Sequence, residues 1–179
     1  RPPRSTLFPY TTLFRSIVAS PCEIMAAGFL YSELLPALLT DAGKNYDLDR
    51  VCRNYCDYYT DRAPVRSGCI ALTVCRELEA LARTVKRMET ASDRQPCDRR
   101  TMQTYEGLRE HVFYDLGDYA KAICNAPDLL DEFDRRMERA FPEKNRLHTP
   151  SFYSAYGYGD APDGLHPIRS YSGVTTSAP

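Results

Sequence analysis

Residues 17–29, with the sequence IVASPCEIMAAGF, form the stretch from which the fold of this chain can be worked out. Its first three residues, Ile17–Ala19, are apolar without polar alternation, which is typical of a strand covered on both faces. Pro21 cannot donate to a sheet ladder, so strand pairing is expected to stop there. The stretch therefore predicts a buried strand over residues 17–20 that ends in a loop, and such strand ends carry ligand sites in α/β sheets.

Residues 68–74, GCIALTV, predict a second strand that is apolar on both faces. Apolar residues at helical spacing predict amphipathic helices at 31–40, 47–59, 76–88, 115–125 and 127–141. Asp115 and Asn125 are the expected N-caps of the last two helices. Because helices join the two strands, the right-handed crossover rule predicts that these strands are parallel. The sequence thus predicts an α/β fold with a mostly parallel sheet flanked by helices.

Several short motifs follow one another along the chain. They are ASPCE at 19–23, GF at 28–29, ALTV at 71–74 before ELEAL at 77–81, FYDLGDY at 113–119, TPSFY at 149–153 and YSGV at 171–174. In this order they resemble the clostripain-like cysteine peptidases, a bacterial family of hydrolases with the caspase-like fold. The resemblance implies that residues 17–179 are the C-terminal portion of such a peptidase domain, truncated at both ends.

The same resemblance implies where the catalytic groups of the family would lie. The family's histidine, and its nucleophilic cysteine behind an Asp-Ala pair, both precede the strand that begins here at Ile17, and neither motif occurs in this sequence. In the family a cysteine thiolate attacks the peptide carbonyl and a histidine handles the proton. We therefore expect this chain to be an inactive fragment of a cysteine endopeptidase. The resemblance implies that the whole enzyme is secreted or at the cell surface and acts on peptide or protein substrates.

Ser20, Cys22 and Glu23 are the predicted substrate-binding residues. The resemblance implies cleavage after Arg or Lys, which requires a carboxylate because a buried cation needs a partner. Glu23 is the candidate, although family members usually carry a Pro-Gly-Asp-Gly-type loop nearby and residues 25–28 contain no Asp. We expect Cys22 to be a wall residue whose pKa is raised by like-charge repulsion from Glu23.

Residues 1–16 are expected to be non-native. Residues 6–16, TLFPYTTLFRS, resemble the translation of one frame of a common sequencing-adapter oligonucleotide. A signal peptide or an amphipathic segment are the alternatives, but Pro9 interrupts the apolar residues and no small-residue cleavage site follows. We predict that this segment packs loosely and adds nothing to the core.

Composition is that of one ordinary globular domain, with 43% hydrophobic and 26% charged residues and 23 basic against 24 acidic side chains. No charge excess favours nucleic acid, and residues 89–100 are predicted to be a solvated loop. No apolar run approaches the roughly 20 residues of a membrane-spanning helix.

The seven cysteines show no Cys-x-x-Cys motif and no zinc-ligand spacing with histidine. We expect free, mostly buried thiols, no metal and no cofactor. His111, His148 and His166 are expected to be structural, because no spacing demands a dyad with Cys22. A non-enzymatic α/β interaction domain remains the alternative to a peptidase fragment.

Overall fold

The computed structural model describes residues 14–25, 28–39, 47–91, 98–108, 110–156 and 163–177. Its strands are β1 (Ser16–Ala19), β2 (Cys69–Val74), β3 (Phe113–Asp115), β4 (Arg146–His148), β5 (Ser151–Tyr153), β6 (Leu165–Pro167) and β7 (Thr175–Ser177). Its α-helices are α1 (Tyr31–Leu38), α2 (Leu48–Asp57), α3 (Leu78–Thr90), α4 (Leu116–Ile123) and α5 (Pro127–Ala140). A π-helical turn, Tyr58–Arg62, extends α2. The predicted elements are thus present, with ends shifted by a few residues.

Strand β2 lies at the centre of the sheet ordered β1-β2-β4. Residues 69–72 are buried, as predicted. Ile70 and Leu72 pack against α2 and the π-helical turn, whereas Ala71 joins the apolar cluster built by α3, α4 and α5. Helices therefore cover both faces of β2, and the fold is α/β with the core divided by this strand.

The prediction that β1 and β2 are parallel is wrong, and so is the mostly parallel sheet for the described strands. Strand β2 pairs antiparallel with both β1 and β4, and the pairs β3–β7 and β5–β6 are antiparallel as well. The prediction treated the connection between β1 and β2 as a single crossover. Instead, α1 and α2 run along the sheet in two passes, so the chain re-enters the sheet at the end where β1 finishes. The Tyr59 hydroxyl, shortly before β2, accordingly donates to the Gly28 carbonyl, shortly after β1, at 2.8 Å.

Strand β1 is also less buried than predicted. Ile17 is 37% exposed and Ala19 is exposed, whereas Ser16 and Val18 are partly buried. This alternation is that of a strand covered on one face only. The strand begins at Ser16, inside the segment expected to be non-native, and residues 1–13 lie outside the described part of the chain.

Helices α4 and α5 supply half of the buried residues in the larger core cluster. The Asp115 carboxylate accepts the Asp118 N–H at 3.1 Å, which confirms Asp115 as the N-cap of α4. Pro127 lies in the first turn of α5, but the N-cap is Ala126 and not the predicted Asn125. The buried side chains of the two helices face each other and α3; they include Tyr119, Ile123, Phe133 and Met137, and Phe141 just after α5 joins them.

The C-terminal segment is fixed against the sheet by Gly173. This residue has φ of +80°, and a Cβ placed on it would lie 2.7 Å from the Ala71 Cβ. Only glycine tolerates both the left-handed backbone and this close approach. The segment then enters β7, which pairs with β3 ahead of α4. Of the predicted loop at 89–100, residues 92–97 lie outside the described residues, and residues 98–100 are exposed.

Candidate functional site

The loop after β1 is closed by Ser20. The Ser20 hydroxyl donates to the Cys22 carbonyl at 3.0 Å and accepts the Cys22 N–H at 3.3 Å. The same oxygen lies 3.3 Å from the Cys22 sulfur. Pro21 has a fixed φ and no N–H to satisfy, so it suits this tight turn. The turn therefore sets the directions in which the next two side chains leave the backbone.

The Cys22 thiol points inward, where it joins Cys69, Tyr105 and Phe152 in one buried cluster. A hydrogen bond from the Cys69 thiol lowers the pKa of Cys22, and Ser20 adds to this effect although burial opposes it. The expectation that Glu23 raises the Cys22 pKa is therefore wrong. The reason is that the stronger interactions come from Cys69, a neighbour in space that lies far away in sequence.

The Glu23 carboxylate contacts the segment that follows β5. Its Oε1 atom accepts the Ser154 hydroxyl at 2.8 Å, and its Oε2 atom accepts the Ala155 N–H at 3.1 Å. The three predicted substrate-binding residues thus share one loop. Ser20 and Cys22 contact each other, whereas Glu23 is oriented by a different part of the chain.

Ser154 is held in turn by Gly107, whose N–H donates to the Ser154 hydroxyl oxygen at 3.0 Å. A Cβ on Gly107 would lie 2.5 Å from the Tyr156 carbonyl oxygen and 3.0 Å from His166 Nε2. Glycine is therefore required for the close approach of these segments. Neither residue could be predicted from the sequence, because Ser154 lies 131 positions from Glu23 and no local pattern indicates the contact.

A cleft of about 270 Å³ opens beside Gly107. His111 Nδ1 lies 3.3 Å from Glu106 Oε1 on its wall. His166 stacks on Phe152 with ring centroids 5.2 Å apart, and its buried Nε2 atom has no hydrogen-bond partner among the residues that the structure describes. The cleft combines charged and aromatic side chains and neighbours the Ser154–Glu23 contact.

The cysteine predictions can be checked for six of the seven residues. Cys22, Cys52, Cys56, Cys69, Cys75 and Cys124 are free, and all but Cys56 are buried, as expected. Cys97 lies outside the described residues. Across the described ranges, His, Cys, Asp and Glu side chains form no group of three or more that could hold a metal ion. Nor does any described helix have the length and apolarity needed to cross a bilayer.

Solved structures similar to this chain are C11 clostripain-like cysteine proteases. A clostripain from Bacteroides thetaiotaomicron, in complex with the peptide inhibitor BTN-VLTK-AOMK, matches with a TM-score of 0.80 and 26% identity, over 93% of this chain and 69% of that chain. A secreted C11 cysteine protease from the same species matches with a TM-score of 0.79 and 26% identity, over 93% of this chain and 44% of the protease chain.

An inactive zymogen C11 protease from Parabacteroides distasonis matches with a TM-score of 0.77 and 28% identity, over 92% of this chain and 46% of that chain. This chain therefore spans less than half of the last two proteases. Neither a protein-family model nor a curated protein sequence matches it. The likeness to the clostripain-like family thus comes from the ordered motifs of the sequence and from the fold.

Proposed function

We propose that this chain is the C-terminal portion of a clostripain-like cysteine endopeptidase, a hydrolase of peptide bonds. The observation that carries the proposal is the fold match to a clostripain over 93% of the chain, at 26% identity. Residues 17–179 are the native portion in this proposal, and residues 1–16 are a foreign segment. The described fold supports an α/β peptidase domain with a loop at the end of β1 that can face a substrate.

The nucleophile and its base belong, in this proposal, to the remainder of the full-length protein. The sequence contains no Asp-Ala-Cys and no His-Gly motif. The remainder would supply a cysteine thiolate that attacks the substrate carbonyl and a histidine that moves the proton to the leaving amine. We therefore expect the chain by itself to have no peptidase activity.

Glu23 is the group that would recognise a basic side chain in the substrate. The Ser154 hydroxyl and the Ala155 N–H hold its carboxylate in one orientation. Carboxylate oxygens accept more than one hydrogen bond, so each can also bind a lysine or arginine donor. The peptide part of the inhibitor bound to the similar clostripain, VLTK, ends in lysine, which supports a preference for Lys or Arg.

Ser20 and the backbone of Cys22 would form the wall beside this carboxylate, since the Cys22 thiol itself packs in the buried cluster. The hydrogen bonds of Ser20 to the Cys22 backbone stiffen the turn, so a bound side chain would meet a preformed surface. A secreted or cell-surface location completes the proposal. It is supported by the similar C11 protease that is described as secreted.

The test of the proposal uses the full-length enzyme and fluorogenic peptides that end in Arg, Lys or Leu. Glu23→Gln removes one charge but keeps the shape, and we expect it to lower kcat/KM for Arg and Lys peptides by about 10- to 100-fold, the value of a charge-assisted hydrogen bond. Hydrolysis of the Leu peptide, the matched control, should stay within about twofold. An equal loss on all three peptides would remove Glu23 from the pocket.

A second arm of the test separates the peptidase from an interaction domain. The full-length reading frame should contain a His-Gly segment followed by an Asp-Ala-Cys segment ahead of Ile17. The 179-residue chain itself should cleave none of the three peptides. Cleavage by this chain that is blocked by a thiol-alkylating reagent, and lost in Cys22→Ala, would overturn the assignment of the nucleophile. Absence of both motifs from the full-length frame would favour the interaction domain.

A further inference from the structure

Two free thiols, Cys22 in the loop after β1 and Cys69 at the start of β2, pack in one buried cluster. Cys22 and Cys69 are 7% and 0% exposed and belong to the same buried cluster. The two thiols perturb each other: the interaction lowers the pKa of Cys22 and raises that of Cys69. The pairing of Ala19 with Ala71 in the β1–β2 ladder places the start of β2 opposite the turn that carries Cys22. The two sulfurs are therefore brought together by the sheet register and by the Ser20 turn.

We propose that Cys22 and Cys69 form an oxidative modification site, at which hydrogen peroxide converts the two thiols into a disulfide that ties the loop after β1 to β2. Facing residues of an antiparallel pair have Cα atoms about 4.5–5.5 Å apart, which lies within the range that a disulfide spans. Cys22 sits just beyond the paired residues, in a turn without ladder hydrogen bonds. The short Ser20 turn keeps Cys22 close to the start of β2, where Cys69 lies.

The reaction proceeds in two balanced steps. The Cys22 thiolate attacks one peroxide oxygen, the O–O bond breaks, and the departing hydroxide takes a proton to become water. The sulfur of Cys69 then attacks the sulfur of the resulting Cys22 sulfenic acid, the S–O bond breaks, and the hydroxyl leaves with the Cys69 proton as a second water. Two electrons pass from the sulfurs to the peroxide, and no other reactant is needed.

The surroundings favour this pair over the other described cysteines. The thiolate is the reactive form, and hydrogen bonds from Cys69 and Ser20 lower the pKa of Cys22. Burial instead raises the pKa of Cys52 to about 12, and it also raises the pKa values of Cys56 and Cys75. The pKa of Cys69 is raised as well, by its interaction with Cys22 and by burial, so Cys22 is the member of the pair that peroxide attacks first. Hydrogen peroxide is small enough to reach a thiol that retains slight exposure. We therefore expect hydrogen peroxide to oxidise Cys22 before Cys56, because Cys22 is less exposed but its pKa is lowered.

The experiment treats the reduced 179-residue protein with graded hydrogen peroxide, blocks the remaining thiols by alkylation, and maps the peptides by mass spectrometry. We expect a species that has lost two hydrogen atoms, in which the peptides of Cys22 and Cys69 are joined. A thiol reductant should reverse it. This species should form at lower peroxide doses than oxidation of Cys56, which is more exposed.

Variants provide the controls. Cys22→Ala and Cys69→Ala should each abolish the linkage, and Cys56→Ala, which removes a cysteine outside the pair, should retain it. If an alanine variant fails to fold, the wild-type peptide map decides alone. Oxidation of Cys56 before any Cys22–Cys69 linkage, or oxidation of Cys22 to the sulfinic acid with Cys69 unmodified, would overturn the proposal. The readout is covalent and needs no peptidase activity, so its outcome is independent of the proposed function.

Discussion

Helices α5 and α1 carry the same kind of apolar periodicity but end in different environments. On α5, Phe133 and Met137 are 1% and 4% exposed. On and just after α1, Tyr31 and Leu39 are 65% and 72% exposed. The pattern predicts a helix in both places, but burial depends on the elements that are present to cover the helix. Helix α5 packs on α3, α4 and β2, whereas α1 contacts mainly α2.

The candidate loop, residues 20–23, lies between β1 and α1, in the part of the molecule where fewer elements cover the helix. Its fixed points come from distant parts of the chain: Cys69 at the start of β2 holds Cys22, and Ser154 after β5 holds Glu23. Segments with few buried contacts open locally at low free energy, and binding loops are drawn from such segments. The loop therefore owes its geometry to its anchors more than to its own neighbourhood.

The largest expected effect is the loss of core packing around α5. Phe133→Ala should lower the free energy of unfolding by about 4 kcal/mol, the usual cost of an aromatic-sized cavity. Tyr31→Ala on α1 is the matched control and should change it by less than about 0.5 kcal/mol, because the side chain is already exposed. Urea denaturation measures both values. Equal losses of the free energy of unfolding would show that α1 is as well packed as α5 and would contradict the difference described above.

The next effect concerns Asp115, a carboxylate with 1% exposure inside the well-covered half. It accepts the Tyr105 hydroxyl at 2.6 Å, the Ser172 N–H at 2.7 Å and the Ser172 hydroxyl at 2.8 Å. Asp115→Ala should cost about 3 kcal/mol, because these buried donors lose their acceptor.

Asp47 is the matched cap beside α1, at the exposed start of α2, where its carboxylate accepts the Arg50 N–H at 2.8 Å. Asp47→Ala should cost only about 1 kcal/mol, the usual value of an N-cap. Thermal and urea unfolding of the two variants give the comparison. If Asp115→Ala lowers the free energy of unfolding less than Asp47→Ala does, the buried hydrogen bonds of Asp115 do not stabilise the protein as proposed.

The smallest effect is electrostatic and depends on pH. Asp49 on α2 accepts Lys144 Nζ at 2.6 Å, and this hydrogen bond lowers the pKa of Asp49 below its ordinary value of 3.8. A lowered folded-state pKa stabilises the protein above the unfolded value, and the contribution disappears as the pH falls through the folded value. Asp49→Asn should therefore cost about 0.5 kcal/mol at pH 7. The difference in the free energy of unfolding between Asp49→Asn and wild type should vanish at the acid end of a pH series. A difference that stays constant with pH would show that the Asp49–Lys144 pair does not cause it.

The sequence predicted the helices well, because their apolar spacing and caps such as Asp115 are local. Strand direction was not predictable in the same way, since it depends on whether α1 and α2 together make one pass or two. The burial of β1 failed for a related reason: Ile17 is apolar, but a side chain is covered only if another element lies over it.

The site was predictable as a segment but not in its contacts. The apolar run and Pro21 located the loop and its three candidate residues. The direction of the Cys22 pKa shift required the position of Cys69, and the orientation of Glu23 required Ser154 and Gly107. These contacts follow from the tertiary fold, and no spacing in the sequence encodes them.

Covalent labelling shows whether this chain carries a substrate-binding wall of a cysteine peptidase but not its nucleophile. The full-length protein is treated with a thiol-reactive peptide that ends in lysine, and the labelled residue is identified by mass spectrometry. We expect one labelled cysteine, outside residues 17–179 and directly behind an Asp-Ala pair, with labelling weakened in Glu23→Gln. A label on Cys22, or on any other cysteine of this chain, would contradict this expectation.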